Sequence, residues 1–306
     1  EPRFGESYYR RLFMQGATVV PRRFFLVERR DAGPFGANPE EPLLIGRTGS
    51  MDKPPWKDLP PPEGRVEARF LHPLYLGEGI APFRLLEPAE AVIPIAPDGR
   101  GLLDAAAAAR EGFPRLAAWL RHCEGLWNAH SSKTADGAPR ATLLENLDHF
   151  GKLSAQIAPR PLRVAFAASG TLFAAALLRD PAAICEHALY WHAPRTEDEG
   201  YFLLALPNAE ALRQRITAMQ SQGWRDPRHF HKLVFEQPIP AFDRREPLHA
   251  ALAAAARRAE AIAAAVPLEP GAHFQRHRKA IRAALAESGL AAGIDRLAED
   301  LLPEEE

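Results

Sequence analysis

The side chains best suited to bind phosphate lie in the segment Trp224-Arg-Asp-Pro-Arg-His-Phe-His-Lys232. Its basic and imidazole residues are Arg225, Arg228, His229, His231 and Lys232. Between residues 206 and 245 there are seven Lys or Arg and four Asp or Glu, although the formal net charge of the chain is -1. Guanidinium and ammonium groups bind phosphate oxygens, and arginine also reads guanine edges. The segment therefore predicts a DNA-facing loop; the alternative is a solvated connection between two helices.

Three other places carry residues that could contact nucleic acid. In Lys53-Pro-Pro-Trp-Lys57 a tryptophan stands beside two lysines, so Trp56 could stack on a base while Lys53 and Lys57 bind the backbone. The alternative is that Trp56 fastens a proline-rich loop to the body. Lys133 ends a polar stretch, residues 128–133, that could contact DNA or cap helix ends. Arg22 completes the candidate set.

No residues are arranged as a metal site or an active site. The pairs His122-Cys123 and Cys185-Glu-His187, with His192, match no common zinc spacing, and two cysteines form neither a disulfide scaffold nor a four-cysteine site. The sequence has no glycine-rich dinucleotide turn, phosphate loop or nucleophile elbow. It also lacks the Asn/Asp-Pro-Pro-aromatic turn that amino-methyltransferases need. We therefore predict a chain without catalytic residues, metal or cofactor of its own.

Length and composition indicate a globular protein with a substantial core. The chain has 306 residues, of which 46% are hydrophobic and 25% charged. The most apolar helix-like stretch, residues 251–265, is interrupted by Arg257, Arg258 and Glu260, so no membrane span is predicted. The near-neutral charge excludes a polycationic coat but permits a local basic groove. Because the chain begins Glu1-Pro2, with neither an initiating methionine nor a signal peptide, we expect a piece of a longer protein. Two cysteines without a disulfide scaffold make the cytoplasm its expected location.

Periodicity and turn residues predict an α+β fold. Strands are expected at 16–21, 24–27, 65–76, 83–95, 162–168, 171–178 and 184–192, the last two as a hairpin about Asp180-Pro181. Helices are expected at 102–128 with a break near Gly112, and at 143–157, 197–206, 209–220, 247–266, 272–288 and 294–302. An irregular mixed β/α domain would cover residues 1–245, and a long helix with a helical hairpin would cover residues 246–306.

The long helix carries an apolar seam with a period of 3.5 residues. Its members are Leu248, Leu252, Ala255, Ala259, Ile262 and Val266. Such a seam can meet one partner helix along its whole length. The short link at 267–270 favours the next helix of the chain as an antiparallel partner, and the alternatives are a helix of an absent domain or the core of the same domain.

The order of several motifs resembles a known family. The motifs are Gly16-Ala-Thr-Val-Val-Pro-Arg-Arg-Phe-Phe25, Lys53-Pro-Pro-Trp56, Leu74-Tyr-Leu76, Pro82-Phe-Arg84, Glu197-Asp-Glu-Gly-Tyr-Phe-Leu-Leu-Ala-Leu-Pro-Asn208 and Phe235-Glu-Gln-Pro-Ile-Pro240. Together they look like the target-recognition region downstream of the catalytic domain in type IIG-like, fused restriction–modification N6-adenine DNA methyltransferases. The order of helix, loop, Pro-Ile-Pro and long helix also resembles half of a type I specificity subunit. Pro207 departs from the family's usual asparagine-serine pair.

The resemblance implies a division of labour. An upstream methyltransferase domain of the same polypeptide would bind S-adenosylmethionine and the target base, and this chain would recognise the sequence of double-stranded DNA. The site residues that it implies are those named above, with the segment 228–232 as the family's loop before Pro-Ile-Pro. Two alternatives stay open: a scaffold module that uses the long helix without touching DNA, and a hydrolase whose site is not recognised.

Overall fold

The computed structural model describes residues 7–30, 36–49, 52–168, 173–219 and 233–302, and within them the fold is α+β, as predicted. The strands are β1 (Met14–Gln15), β2 (Leu26–Arg29), β3 (Leu43–Gly46), β4 (Glu63–Arg65), β5 (Leu71–Tyr75), β6 (Ile80–Ala81), β7 (Arg84–Leu85), β8 (Ala89–Val92), β9 (Arg163–Ala167), β10 (Ala175–Leu178), β11 (Ile184–Cys185) and β12 (Leu189–His192). The helices are α1 (Arg22–Phe25), α2 (Ala105–Arg110), α3 (Pro114–His130), α4 (Leu143–Leu147), α5 (Ser154–Ile157), α6 (Glu197–Asn208), α7 (Glu210–Met219), α8 (Pro247–Ala265), α9 (Phe274–Glu287) and α10 (Leu290–Leu301).

Within the described residues, the strands form two main sheets. An antiparallel sheet has the order β1-β12-β9-β10, and a larger one has the order β11-β5-β8-β2-β3-β4, in which β11 and β5 run parallel. β6 and β7 form a short ribbon. Strand β9 is buried along its whole length because alternate side chains enter different cores. Val164 and Phe166 join one hydrophobic cluster, and Ala165 and Ala167 join another.

Residues 184–192 join the two sheets, because β11 belongs to the larger sheet and β12 to the smaller one. The N-terminal segment crosses the same joint. The Gly16 amide donates to the Leu189 carbonyl at 2.9 Å, and the Ala17 amide donates to the Cys185 carbonyl at 2.8 Å. A Cβ atom on Gly16 would lie 2.3 Å from the Cys185 carbonyl oxygen, so glycine is required for this close approach.

The helices α2 and α3 cover the larger sheet. Pro114 begins α3, where its missing N–H costs nothing, and the Asp104 carboxylate caps α2 by accepting from the Ala107 amide at 2.6 Å. Buried residues of α3 recur at helical spacing: Leu116, Leu120, Cys123 and Trp127. Trp119 of the same helix donates its indole N–H to the Phe24 carbonyl at 3.0 Å, which fixes α3 against α1.

The C-terminal helices share a second core with the smaller sheet. Thr196 caps α6 by accepting from the Glu199 amide, and Asp295 of α10 accepts from the Glu210 amide at 2.7 Å at the start of α7. Gly289, with φ of 74°, lies between α9 and α10 and has the left-handed conformation that is typical of the residue ending a helix. The helices after residue 246 therefore share a core with the preceding residues, and the division at residues 245 and 246 stays a prediction.

The seam predicted on α8 is buried within the chain. Leu252 and Ala259 are fully buried, and Ala255 is 9% exposed. Helix α9 contacts α8 as expected, but α6 has the more extensive contact, so the seam meets the core of its own domain. Arg84 donates to the carbonyls of Ala263 and Val266 at 2.8 and 2.7 Å and so satisfies the C-terminal end of α8.

The predicted hairpin about Asp180 is wrong. Strand β10 pairs with β9, and β12 pairs with the other edge of β9. The reason lies in the buried Arg163 of β9, whose guanidinium donates to the carbonyls of Asp180 and Ala183 at 2.7 Å each. These bonds carry the chain after β10 towards β5 of the larger sheet, where β11 adds in parallel.

Other predicted elements are present but interrupted. The helix expected at 143–157 is divided into α4 and α5, because Phe150 and Gly151 between them have positive φ. The strand expected at 184–192 is divided into β11 and β12, and the strands expected at 65–76 and 83–95 are also shorter. At 16–21 the chain makes one isolated bridge, between Ala17 and Glu186. Of the strand expected at 24–27, residues 24 and 25 belong to the helical turn α1 and residues 26 and 27 to β2. The helices at 102–128, 197–206, 209–220 and 247–266 are confirmed.

The buried seam predicts a large loss of stability on charge insertion. The double variant Ala255→Glu, Ala259→Glu places unpaired carboxylates between α8 and α6, so the free energy of unfolding should fall by about 3 kcal/mol or more. The exposed alanines of the same helix provide a matched control, Ala254→Glu with Ala261→Glu. Chemical denaturation measures the free energy of unfolding of both double variants. Equal stabilities of the two double variants would show that the seam is not buried.

Candidate nucleic-acid interface

The structure describes half of the residues predicted to bind DNA. Five of them lie outside the described residues, in the segment predicted to be a loop: Arg225, Arg228, His229, His231 and Lys232. The others are Arg22, Lys53, Trp56, Lys57 and Lys133. Arg22 belongs to α1, three belong to the loop of residues 52–59, named here the Trp56 loop, and Lys133 follows α3. The structure brings the Trp56 loop, α1 and the end of α3 together.

A buried arginine fixes the Trp56 loop to the body. Arg23 of α1 is 3% exposed, and its Nε lies 3.3 Å from Asp52 Oδ2, on a side chain that is 5% exposed. The same guanidinium donates to the backbone carbonyls of Lys57 and Leu59. A buried guanidinium must find acceptors, and the Trp56 loop supplies three of them. The loop is therefore held from both of its ends by one side chain.

Trp56 is the second attachment of the loop. Its ring stacks on Trp127 of α3 with centroids 5.4 Å apart and an interplanar angle of 7°, and it meets the edge of Phe24 at 5.5 Å. His130, in the last turn of α3, approaches it at 6.5 Å. Trp56 is half-buried, which matches the fastening role considered for it above, so its contact with a base stays a prediction.

Lys53 and Lys57 lie on the outside of the fastened loop, and both are exposed. In the described ranges of the chain, neither ammonium group has an ion-pair partner, because the carboxylate of Asp52 is directed at Arg23. Two free cations on a loop with a fixed backbone are suited to phosphate binding, since little conformational entropy is lost on contact.

Lys133 lies in the connection that follows α3. Its Nζ donates to the carbonyl of Asn128 in the last turn, and its own carbonyl accepts from Arg140 Nε at 3.1 Å. The ammonium group thus caps the C-terminal end of α3, one of the two roles considered for it. Trp127 donates its indole N–H to the Ala141 carbonyl at 2.7 Å, which holds this connection beside the Trp56 loop.

The side chain of Arg22 reaches residues 184–192, which join the two sheets, instead of the Trp56 loop. Its Nη2 donates to Oε1 of the fully buried Glu186 at 2.8 Å, and Nδ1 of His187 lies 2.8 Å from the same oxygen. Burial by itself would raise the pKa of Glu186, but the neighbouring His187 and Arg22 outweigh it and hold that pKa below its ordinary value. Glu186 is therefore an anion in the fold, and Arg22 is partly neutralised by it.

The Trp56 loop depends on residues that sequence reasoning missed. Arg23, Asp52 and Trp127 belong to no recognisable chemical motif, and Arg23 stands out in the sequence only as a member of the segment 16–25. One signal could have found Arg23, because it precedes the apolar run Phe24-Phe-Leu-Val27 and a charge there must be paired. Its partner could not be found from sequence, since Asp52 lies 29 positions away.

Among the residues that the structure describes, no group of three or more His, Cys, Asp and Glu side chains could hold a metal ion. Both cysteines are buried, and burial raises the pKa of Cys123 far above its usual range and that of Cys185 to about 11. Thiols with such pKa values are not activated nucleophiles. In the described part of the chain, no helix is long and apolar enough to cross a membrane.

The fold is similar to that of a restriction–modification enzyme. The type IIL restriction-modification enzyme MmeI, solved in complex with DNA, matches with a TM-score of 0.51 and 12% identity over 76% of this chain and 28% of that one. The type IIG restriction endonuclease BpuSI matches with a TM-score of 0.38 and 13% identity over 92% and 31%. The chain thus spans less than a third of either enzyme. No family model and no curated protein match it in sequence.

Because Arg23 fastens the Trp56 loop, we expect the stability of the protein to depend strongly on this arginine. Arg23→Met leaves the Asp52 carboxylate buried without its cation, so the free energy of unfolding should fall by about 3 kcal/mol. The control is Arg29→Met, which removes an arginine from an exposed pair with Glu90 and should cost less than about 1 kcal/mol. Urea denaturation compares the two variants, and equal losses would show that Arg23 does not carry the loop.

Proposed function

We propose that this chain is the DNA sequence-recognition module of a restriction–modification enzyme whose parent is an adenine-specific DNA methyltransferase. The observation that carries the proposal is the likeness in fold to part of MmeI, an enzyme whose structure contains DNA. The match covers most of this chain but a minor part of MmeI, which fits a module of a larger enzyme. The resemblance in motif order to N6-adenine DNA methyltransferases is the reason for proposing adenine N6 as the atom that the parent enzyme methylates.

The surface chemistry supports the same proposal. A recognition module needs cations at fixed positions to bind phosphates, together with long polar side chains that can reach base edges. The Trp56 loop offers the first in Lys53 and Lys57, whose backbone is held by Arg23. Residues 225–232, which lie outside the described ranges, offer arginines and histidines for the second.

Catalysis is assigned to the parent protein. S-adenosylmethionine and the flipped adenine would be bound by an upstream methyltransferase domain of the same polypeptide, while this chain positions the target sequence. The proposal needs no catalytic residue here.

The scaffold alternative depends on a free face of the long helix. That face is the seam of α8, and its central residues Leu252, Ala255 and Ala259 are buried against the chain itself. A partner helix could reach the seam only by displacing α6. The DNA-binding proposal is therefore favoured over a helix-pairing module.

DNA binding and specificity are tested by selection from a pool of duplexes with a randomised core. The chain should enrich a defined motif, because base contacts distinguish a recognition module from a nonspecific binder. Enrichment without a motif, or no retention of DNA at low salt, would contradict the proposal.

The phosphate contacts are tested on the enriched duplex by fluorescence anisotropy at several salt concentrations. Replacing Lys53 and Lys57 by alanine should weaken binding and reduce the slope of log K against log salt by about 1 for each phosphate that is no longer bound. Lys279→Ala, an exposed lysine of α9, is the matched control and should change neither. Replacing Arg228 and Lys232 by alanine tests the segment 225–232 in the same way. Unchanged slopes in both double variants would remove these residues from the interface.

A further inference from the structure

Phe150 has an unusual combination of exposure and backbone conformation. Its side chain is 86% exposed, the highest value among the exposed large hydrophobic residues of the described ranges. Its φ and ψ are 58° and 27°, in the left-handed region that residues other than glycine, asparagine and aspartate rarely adopt. Neither feature is explained by packing, because an exposed side chain gains little from the fold. The fold holds Phe150 in a backbone conformation that phenylalanine disfavours, and residues held in this way are concentrated at functional sites.

The turn that presents Phe150 is rigidly built. Asp148 accepts from the amides of Leu153 and Ser154 at 2.9 and 2.8 Å and from the Ser154 hydroxyl, and its own carbonyl accepts from the Gly151 amide at 2.8 Å. These bonds close residues 148–154 into a turn between α4 and α5. The aromatic ring is therefore carried on a fixed support and projects from it.

The surroundings of the ring are cationic and polar. Lys152 Nζ lies 5.9 Å from the ring centroid and donates to Gln15 Oε1 at 2.8 Å, and the His149 ring lies 4.1 Å from the Phe150 ring. Gln15 in turn donates to the His187 carbonyl at 2.8 Å, next to the Glu186 carboxylate that holds Arg22. Phe150 is thus linked through Lys152 and Gln15 to residues 186 and 187, where Glu186 holds the predicted DNA-binding residue Arg22.

The carboxylates of the flanking segments are already engaged. Glu186 is paired with Arg22, Asp148 holds the turn, and Glu145 accepts from the Thr142 amide at 2.7 Å in the capping box of α4. The other exposed large hydrophobic residues of the described chain are Met14 and Val20. They belong to the same neighbourhood, because Val20 accepts from Asn146 of α4 and Met14 precedes Gln15.

This combination fits one class of ligand. A stable protein interface needs a large contiguous apolar patch. Here Met14 and Val20 are only 37% and 36% exposed, so the strongly exposed apolar surface is one projecting ring beside basic and polar groups. DNA offers both an anionic backbone for Lys152 and stacked aromatic bases for the ring of Phe150. Proteins that deform DNA insert an apolar side chain between base steps in this manner.

We propose that Phe150 is a wedge that enters the base stack of bound double-stranded DNA, while Lys152 binds a flanking phosphate. The inference rests on the proposed function and adds to it a contact that does not read sequence but opens the duplex locally. No covalent step is involved. A locally unstacked duplex is what a base-modifying parent enzyme requires.

The test uses the duplex enriched in the selection, with 2-aminopurine placed at one adenine position at a time. Binding of the chain should raise the fluorescence at one position, because the analogue brightens when it is unstacked. Phe150→Ala should abolish that rise and weaken binding about tenfold, with the salt slope unchanged, since an apolar contact releases no counterion. Phe150→Trp should keep both properties. Lys152→Ala should keep the fluorescence rise and reduce the salt slope.

Folding is controlled by Phe150→Gly. Glycine adopts positive φ freely and little packing is removed, so this variant should melt at or above the temperature of the unchanged chain while losing the fluorescence rise. If the chain binds the duplex and Phe150→Ala leaves affinity and fluorescence unchanged, the wedge is overturned and the proposed function stands. If the unchanged chain binds no duplex, the proposed function itself fails.

Discussion

The arrangement of the predicted DNA-binding surface depends on one buried cation. Arg23 enters the protein from α1, and its guanidinium finds acceptors in Asp52, Lys57 and Leu59 of a single loop. Because a buried guanidinium without partners is very costly, the loop has one position that satisfies it. That position places Trp56 on Trp127 and leaves the two lysines in solvent. The surface is thus a consequence of satisfying a charge in the interior.

The neighbouring arginine of the same short helix links this surface to the joint of the two sheets. Arg22 pairs with Glu186, which lies between β11 and β12, where the chain passes from one sheet to the other. Gly16 allows the N-terminal segment to cross the same joint. The Trp56 loop, the joint and the Phe150 turn are therefore connected through a few polar contacts around α1. These contacts fix the backbone that carries the exposed Lys53 and Lys57, on a chain whose formal net charge is -1.

The sequence was most informative where one local pattern determines the structure. Pro114 and the spacing of apolar residues predict α3, and the seam predicts α8, because helices are defined by neighbours in sequence. Strand pairing was harder to predict from the sequence, since the hairpin about Asp180 is prevented by Arg163, a residue of another strand. Phe150 illustrates a further limit. A phenylalanine in a helical pattern predicts helix, and only the hydrogen bonds of Asp148 impose the opposite conformation.

Contact of Lys53 and Lys57 with DNA is central to the proposed function, and the chemical reactivity of their amino groups measures it most directly. Acetylation of lysines, read by mass spectrometry with and without a saturating amount of the enriched duplex, compares each side chain with itself. We expect Lys53 and Lys57 to become protected by DNA while Lys279 of α9 reacts at its original rate. Saturated binding with unchanged reactivity of both lysines of the Trp56 loop would contradict the proposed contact.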